Sequence, residues 1–159
     1  MRRLRRAPQK AKERVMNLND VLSDEAKRAS IIEDVCRLVD DEVAKQRGIS
    51  GVAVKAGYKL VQGVKPGFVR KVVQSLLPEF AAALEPIREQ AVAQGEPVGS
   101  YFSAHTQEVA EALLAVTDGR AQSSEHGSVK GAYGKLRGSA RKNVESAIPG
   151  LGHVIEKYT

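Results

Sequence analysis

One basic, tyrosine-centred phrase occurs twice in this chain. Val54-Lys55-Ala56-Gly57-Tyr58 returns as Val129-Lys130-Gly131-Ala132-Tyr133 at an offset of 75 residues. A second set, Arg70-Lys71, Val73, Ser75, Leu77 and Pro78, returns as Arg141-Lys142, Val144, Ser146, Ile148 and Pro149 at an offset of 71. The difference of four is close to one helical turn, so its loss from a linker between helices leaves each apolar face aimed inward. A long aliphatic pattern precedes both phrases, and a segment opened by proline follows both. Matches in this order are the mark of a duplication, and a duplication restricts the fold to two related halves that cover each other's apolar faces. At roughly 60 to 75 residues, neither half would bury enough surface alone, and two copies are too few for a solenoid.

The pattern inside each half is helical. Ile31, Ile32, Val35, Leu38, Val39 and Val43 recur at three- and four-residue spacings behind Ser23 or Asp24 as cap. They predict a helix to about Gln46, with Gly48 just past its end. Ser50 then caps a helix over about Val52 to Gln62, Pro66 opens one that reads to Leu77, and Pro78 opens a fourth that Pro86 kinks or divides. The stretch QGEPVGS, residues 94–100, is the clearest break. Beyond it the spacing predicts a helix from Val98 or Tyr101 to Thr117, a loop, a helix from Ser128 to Leu136, another from Ser139 to Ile148, and a last segment opened by Pro149. No useful length alternates with period two, so a sheet has no candidate strands. With 42% hydrophobic residues but only three Phe, four Tyr and no Trp, the core must be aliphatic, which suits closely packed helices. The expected fold is all-α: one compact helical bundle over residues 16–159, built by pseudo-twofold duplication from halves at about 23–93 and 98–158.

The stretches NLNDVLSDEAKR, LVDDEVAKQRGISGVAVKAGYKLVQGVKPGFVRKVVQSLLPEF, ALLAVTDGRA and VKGAYGKLRGSARKNVESAIPGLGHVIEKY resemble a family of small bacterial all-helical proteins of unknown function. The resemblance covers about residues 17–158. It implies the helical fold and brings no catalytic residues. It also implies a start near Met16, which makes residues 1–15 a start-site extension or a disordered basic tail.

Formal charge is +6, yet residues 1–14 carry seven Lys or Arg against Glu13 alone, which leaves 18 basic and 18 acidic residues among the other 145. The body is neutral overall, so the high isoelectric point is a poor argument for nucleic-acid binding. Charge is segregated within it. From Val43 to Pro78 there are seven basic and no acidic residues, and from His126 to Val144 five and none. One expectation pairs these cassettes with the acidic helix DEAKRASIIEDVCRLVDDE in solvated ion pairs worth about 0–1 kcal/mol each. The other gives Lys55, Lys59, Arg70, Lys71, Lys130, Lys135, Arg141 and Lys142 an anionic partner: an acidic protein, a nucleic acid or an anionic lipid surface. No recognised base-reading motif is present. Tyr58 and Tyr133 are expected to pack between halves with their hydroxyls on polar partners, and Gly57 and Gly131 to permit close helix contact.

An enzyme is hard to assemble from the remaining residues. His105 falls on or near an apolar face, no two histidines have metal-ligand spacing, and Ser75 and Ser146 have no base to activate them. Cys36 stands alone between Val35 and Arg37 as a small hydrophobe, which permits no internal disulfide and fits a reducing compartment. No apolar run approaches the roughly 20 residues of a membrane span, and no hydrophobic segment follows the basic N-terminus to make a secretory signal; the expected location is the cytoplasm. No catalytic, metal or cofactor site is expected. The reading is a non-catalytic helical binding or scaffolding module. The alternatives are a nucleic-acid-associated protein that contacts phosphates through its Lys/Arg clusters, and a helical enzyme centred on His105.

Overall fold

The computed structural model describes residues 17–125 and 127–159; the basic stretch of residues 1–15, Met16 and His126 lie outside them. Among the described residues every regular element is an α-helix: α1 (Leu18–Leu22), α2 (Glu25–Ala44), α3 (Gly48–Gln62), α4 (Phe68–Ala93), α5 (Val98–Ala104), α6 (Thr106–Gln122) and α7 (Gly127–Tyr158). None of these helices is long and apolar enough to cross a membrane.

Local chemistry sets the first starts. Asn17 accepts the Asp20 amide at 2.8 Å while the Asp20 carboxylate accepts the Asn17 amide at 3.3 Å, a reciprocal cap that satisfies two first-turn donors. Asp24, not Ser23, caps α2 by holding the Lys27 amide at 3.1 Å. Gly48 and Gly67, at the starts of α3 and α4, have φ of 76° and 72°, backbone that glycine adopts without a Cβ clash. That conformation at Gly67 leaves Pro66 in the preceding turn instead of at a first helical position. Ser50, expected as the cap of α3, lies inside it, since the helix starts at Gly48 behind Arg47.

The prolines break less than expected. Pro78 and Pro86 lie inside α4, and Pro149 inside α7. All three rings are exposed, so each lost backbone bond faces solvent. The inward stripe of α4, from Val73 and Leu77 through Leu84 to Ala91, is buried on both sides of its prolines, and this packing carries the helix through them. In α7, Ile148 and Ile155 do the same around Pro149. One 32-residue helix thereby replaces three expected segments, about 48 Å long at 1.5 Å per residue.

Conversely, the helix expected across residues 98–117 is broken at His105, where φ is −128° and ψ 43°. The His105 amide bonds to the Phe102 carbonyl at 3.0 Å, which frees the Tyr101 carbonyl from its helical partner. His105 Nδ1 lies 2.8 Å from that carbonyl, and since a carbonyl only accepts, Nδ1 carries the proton. The imidazole stacks on the Tyr101 ring, centroids 4.0 Å apart.

Two clusters make the core. Residues of α1, α4, α5, α6 and α7 meet around Leu84, Phe102, Val109 and Ile148; Val21, Ile31, Ile32, Val73 and Leu77 join α1, α2 and α4. Helix α7 packs against α2, α3, α5 and α6. It does so closely at two glycines. A Cβ on Gly152 would lie 2.8 Å from Gly99 Cα, and one on Gly150 would lie 2.6 Å from Leu38 Cδ1. Gly131, expected at a close crossing, has open space where its Cβ would be. Arg88 is a buried charged residue, 4% exposed. It donates to Glu85 at 2.8 and 3.2 Å, and Glu85 also accepts the Leu18 amide at 2.9 Å, which ties α1 to α4.

Gly152→Val should therefore cost about 1–3 kcal/mol by forcing α5 off α7. Gly131→Ala should gain about 0.5–1 kcal/mol from helix entropy alone. Arg88→Ala should cost about 3–5 kcal/mol, because Glu85 is left largely buried without its cation. Urea denaturation of the three variants beside the parent checks all of these.

Candidate functional site

The two acid-free stretches map onto α3 with the start of α4, and onto the N-terminal half of α7. Three of their four arginines are committed to acids; Arg47, exposed ahead of α3, forms no ion pair among the described residues. Arg70 on α4 pairs with Glu33 on α2, Arg137 with Asp118 at 2.9 Å, and Arg141 with Glu111 at 2.9 Å and Glu145 at 3.8 Å. The pairing expected with the acidic helix therefore holds for Arg70; Arg137 and Arg141 take acids of α6 instead, and the planar guanidinium suits a fixed carboxylate partner. Lys45 also pairs, with Glu42 at 2.7 Å. Lys55, Lys59, Lys71, Lys130, Lys135 and Lys142 are all exposed and form no ion pair among the described residues. Helices α3 and α7 pack on one another. Val61 of α3 and Tyr133 of α7 line a single open cleft of about 590 Å³, together with Lys65, Lys71 and Arg120. Arg120 donates to Glu79 at 2.6 Å and to Ser75 at 2.9 Å.

The two tyrosines of the repeated phrase sit in like surroundings. Tyr58 on α3 donates to the Asp40 carboxylate on α2, and Tyr133 on α7 donates to Asp118 on α6. Both rings are half-buried. Burial first, then the hydrogen bond to Asp40, pushes the Tyr58 hydroxyl well above the ordinary phenol range. The same two causes, with Asp118 as acceptor, raise Tyr133. The Tyr133 hydroxyl, followed by Arg137, holds the Asp118 carboxyl below the usual carboxylate range. At the far end of α7, the Tyr158 hydroxyl and then Lys157 lower Asp34. These pairs fasten neighbouring helices.

The other candidates make poor chemistry. His105 serves the α5–α6 break. Cys36 is half-buried against the Val21–Ile31–Val73 cluster, and burial pushes its thiol up, which disfavours the reactive thiolate. Among the described residues no group of three or more His, Cys, Asp or Glu is placed to hold a metal ion. Ser75 accepts from Arg120, and Ser146 donates to the Glu42 carboxylate at 3.1 Å, so both hydroxyls are engaged in holding helices together.

What the sequence did not disclose is a hollow in the core. Between α1, α2, α4, α6 and α7 lies a partly open cavity of about 310 Å³. Leu22, Val35, Leu38, Val43, Leu113 and Val154 line it and are only half-buried. Its polar lining residues are Glu42, Thr117, Asn143, Tyr158 and Thr159, and each is already engaged. Glu42 takes Lys45 and Ser146, Tyr158 donates to Asp34 at 2.7 Å, and Asn143 donates to Ser139 at 3.2 Å. Thr117 and Thr159 donate to carbonyls one turn back in their own helices. Water needs two to four polar partners to settle in such a space.

The raised tyrosine hydroxyls have a pH consequence. The folded state holds those protons more tightly than the unfolded chain, so the stabilisation is complete below the ordinary phenol value of about 10 and is lost as pH rises through the folded value. Absorbance at 295 nm should show two tyrosines ionising above the ordinary phenol range, and Tyr58→Phe should remove one of them.

Curated proteins and solved structures offer no match to this sequence. The family of unknown function DUF6918 matches residues 18–159. An all-helical chain matched from the first turn of α1 to its last residue belongs to that family.

Proposed function

We propose that this chain is a non-catalytic binding module built from two related halves, whose Lys55, Lys59, Lys130 and Lys135 hold an acidic protein partner in a bacterial cytoplasm. The observation that carries the reading is the division of labour among its cations. The guanidinium groups of Arg70, Arg137 and Arg141 are spent on carboxylates of neighbouring helices, whereas ammonium groups on two adjoining helices stay unpaired among the described residues. Such an array draws an opposite charge and speeds encounter with it. Val52 and Leu60 lie 69% and 47% exposed on α3, three residues before Lys55 and one after Lys59. Apolar side chains at that place favour the surface of a protein over a phosphate backbone.

The duplication gains support from matched contacts. Glu33 and Asp40 stand seven residues apart on α2, as Glu111 and Asp118 do on α6, 78 residues later. Each Glu binds the arginine, and each Asp the tyrosine, of the phrase that follows it. At the same offset Glu42 corresponds to Arg120. Glu42 reaches Ser146 and Arg120 reaches Ser75, so equivalent positions touch reciprocally across the halves, as at a twofold axis. A centre of catalysis at His105 has less in its favour, since that imidazole is occupied with the Tyr101 carbonyl and ring.

The test is retention on immobilised poly-glutamate and on duplex DNA across a salt gradient, with the full chain and with a chain starting at Met16. The expected outcome is retention on poly-glutamate by both, lost when Lys55, Lys59, Lys130 and Lys135 are changed together to Glu. Arg70→Gln and Arg141→Gln should leave retention intact. Retention that vanishes with residues 1–15 would remove the lysine face from the account. Binding to DNA alone, weakening linearly in log salt, would replace the protein partner by a nucleic acid.

A further inference from the structure

We infer that the cavity between α1, α2, α4, α6 and α7 is a binding site for an unbranched aliphatic chain of medium length. Three observations converge on that chemistry. The lining is Leu, Val, Ile and Ala apart from Phe80, Tyr158 and the engaged polar groups, so it offers methyl contacts and little aromatic surface on which a flat ring would stack. The polar atoms at its edge already bond to Lys45, Ser146, Asp34 and Ser139, and the remaining walls are apolar, so water finds few partners there. Its volume of about 310 Å³ is room for about ten groups at the roughly 30 Å³ that one water occupies in the liquid, and a methylene is of similar size. The cavity is partly open and is spanned by five helices, so a chain can enter without unfolding the core. This site lies on other residues than the lysine face and does not depend on it.

The experiment uses the full chain with decanol, decanoate and dioctanoyl phosphatidylglycerol in separate arms, read by native mass spectrometry and by thermal midpoint. The expected result is a one-to-one complex and a raised midpoint in at least one arm; which arm responds tells a neutral chain, a free acid and a lipid tail apart. Ala147 lines the cavity, and Ala147→Phe should fill it. That variant should keep its helical circular dichroism, melt higher without ligand, and bind the responding ligand about tenfold more weakly or not at all. Should the larger ring unfold the chain, Ala147→Leu supplies the same comparison with a smaller insertion. No complex in any arm overturns the inference, as does binding that neither variant weakens. A dimer that takes up no ligand overturns it too, since the apolar walls would then serve a second copy of the chain.

Discussion

Helix α7 survives its own proline, and the rest of the molecule is arranged along it. It stays continuous because Ile148 and Ile155 are buried on either side of the exposed Pro149 ring. Because it is continuous, a single rod meets α2 at Gly150 and α5 at Gly152 within one turn, and meets α6 through Asp118 and Glu111 further along. Close approach at small residues lets backbones come within reach of each other's side chains. The Gly99 amide, for example, donates to the Glu156 carboxylate across the α5–α7 crossing. Glycine here serves contact, not bending.

The same rod brings charge under control. Two acid-free stretches would repel one another if left alone, and the fold answers with guanidinium–carboxylate pairs directed at α2 and α6. These pairs are exposed, with side chains roughly half accessible at Arg70, Arg137 and Arg141, so each stabilises only modestly. Their value is geometric. They orient neighbouring helices while the lysines beside them remain hydrated.

Helical character was legible because three- and four-residue spacing of Ile31, Val35, Leu38 and Val39 defines one face whatever the neighbouring segments do. Helix limits were less so, and for a physical reason. A proline removes a bond locally, but whether the helix ends there is decided by the buried stripe on both sides, which only the packing reveals. Pro78, Pro86 and Pro149 misled in one direction. His105 misled in the other, since its break depends on a ring nitrogen taking over a carbonyl, and nothing in the spacing of Phe102 and Val109 announces that. At the site, the segregation of basic residues was visible at once. Which of them would be paired was not, because that depends on the acids α4 and α7 come to face. The hollow could not be read at all, since the residues that line it are of the same types as those that fill a solid core.

The split between arginine and lysine has one more consequence. Acetyl transfer acts on primary amines and leaves guanidinium groups alone. Acylation of Lys55, Lys59, Lys130 and Lys135 would erase their surface charge yet leave the Arg70, Arg137 and Arg141 pairs standing, so this chain could change its outward electrostatic identity while its architecture stayed put.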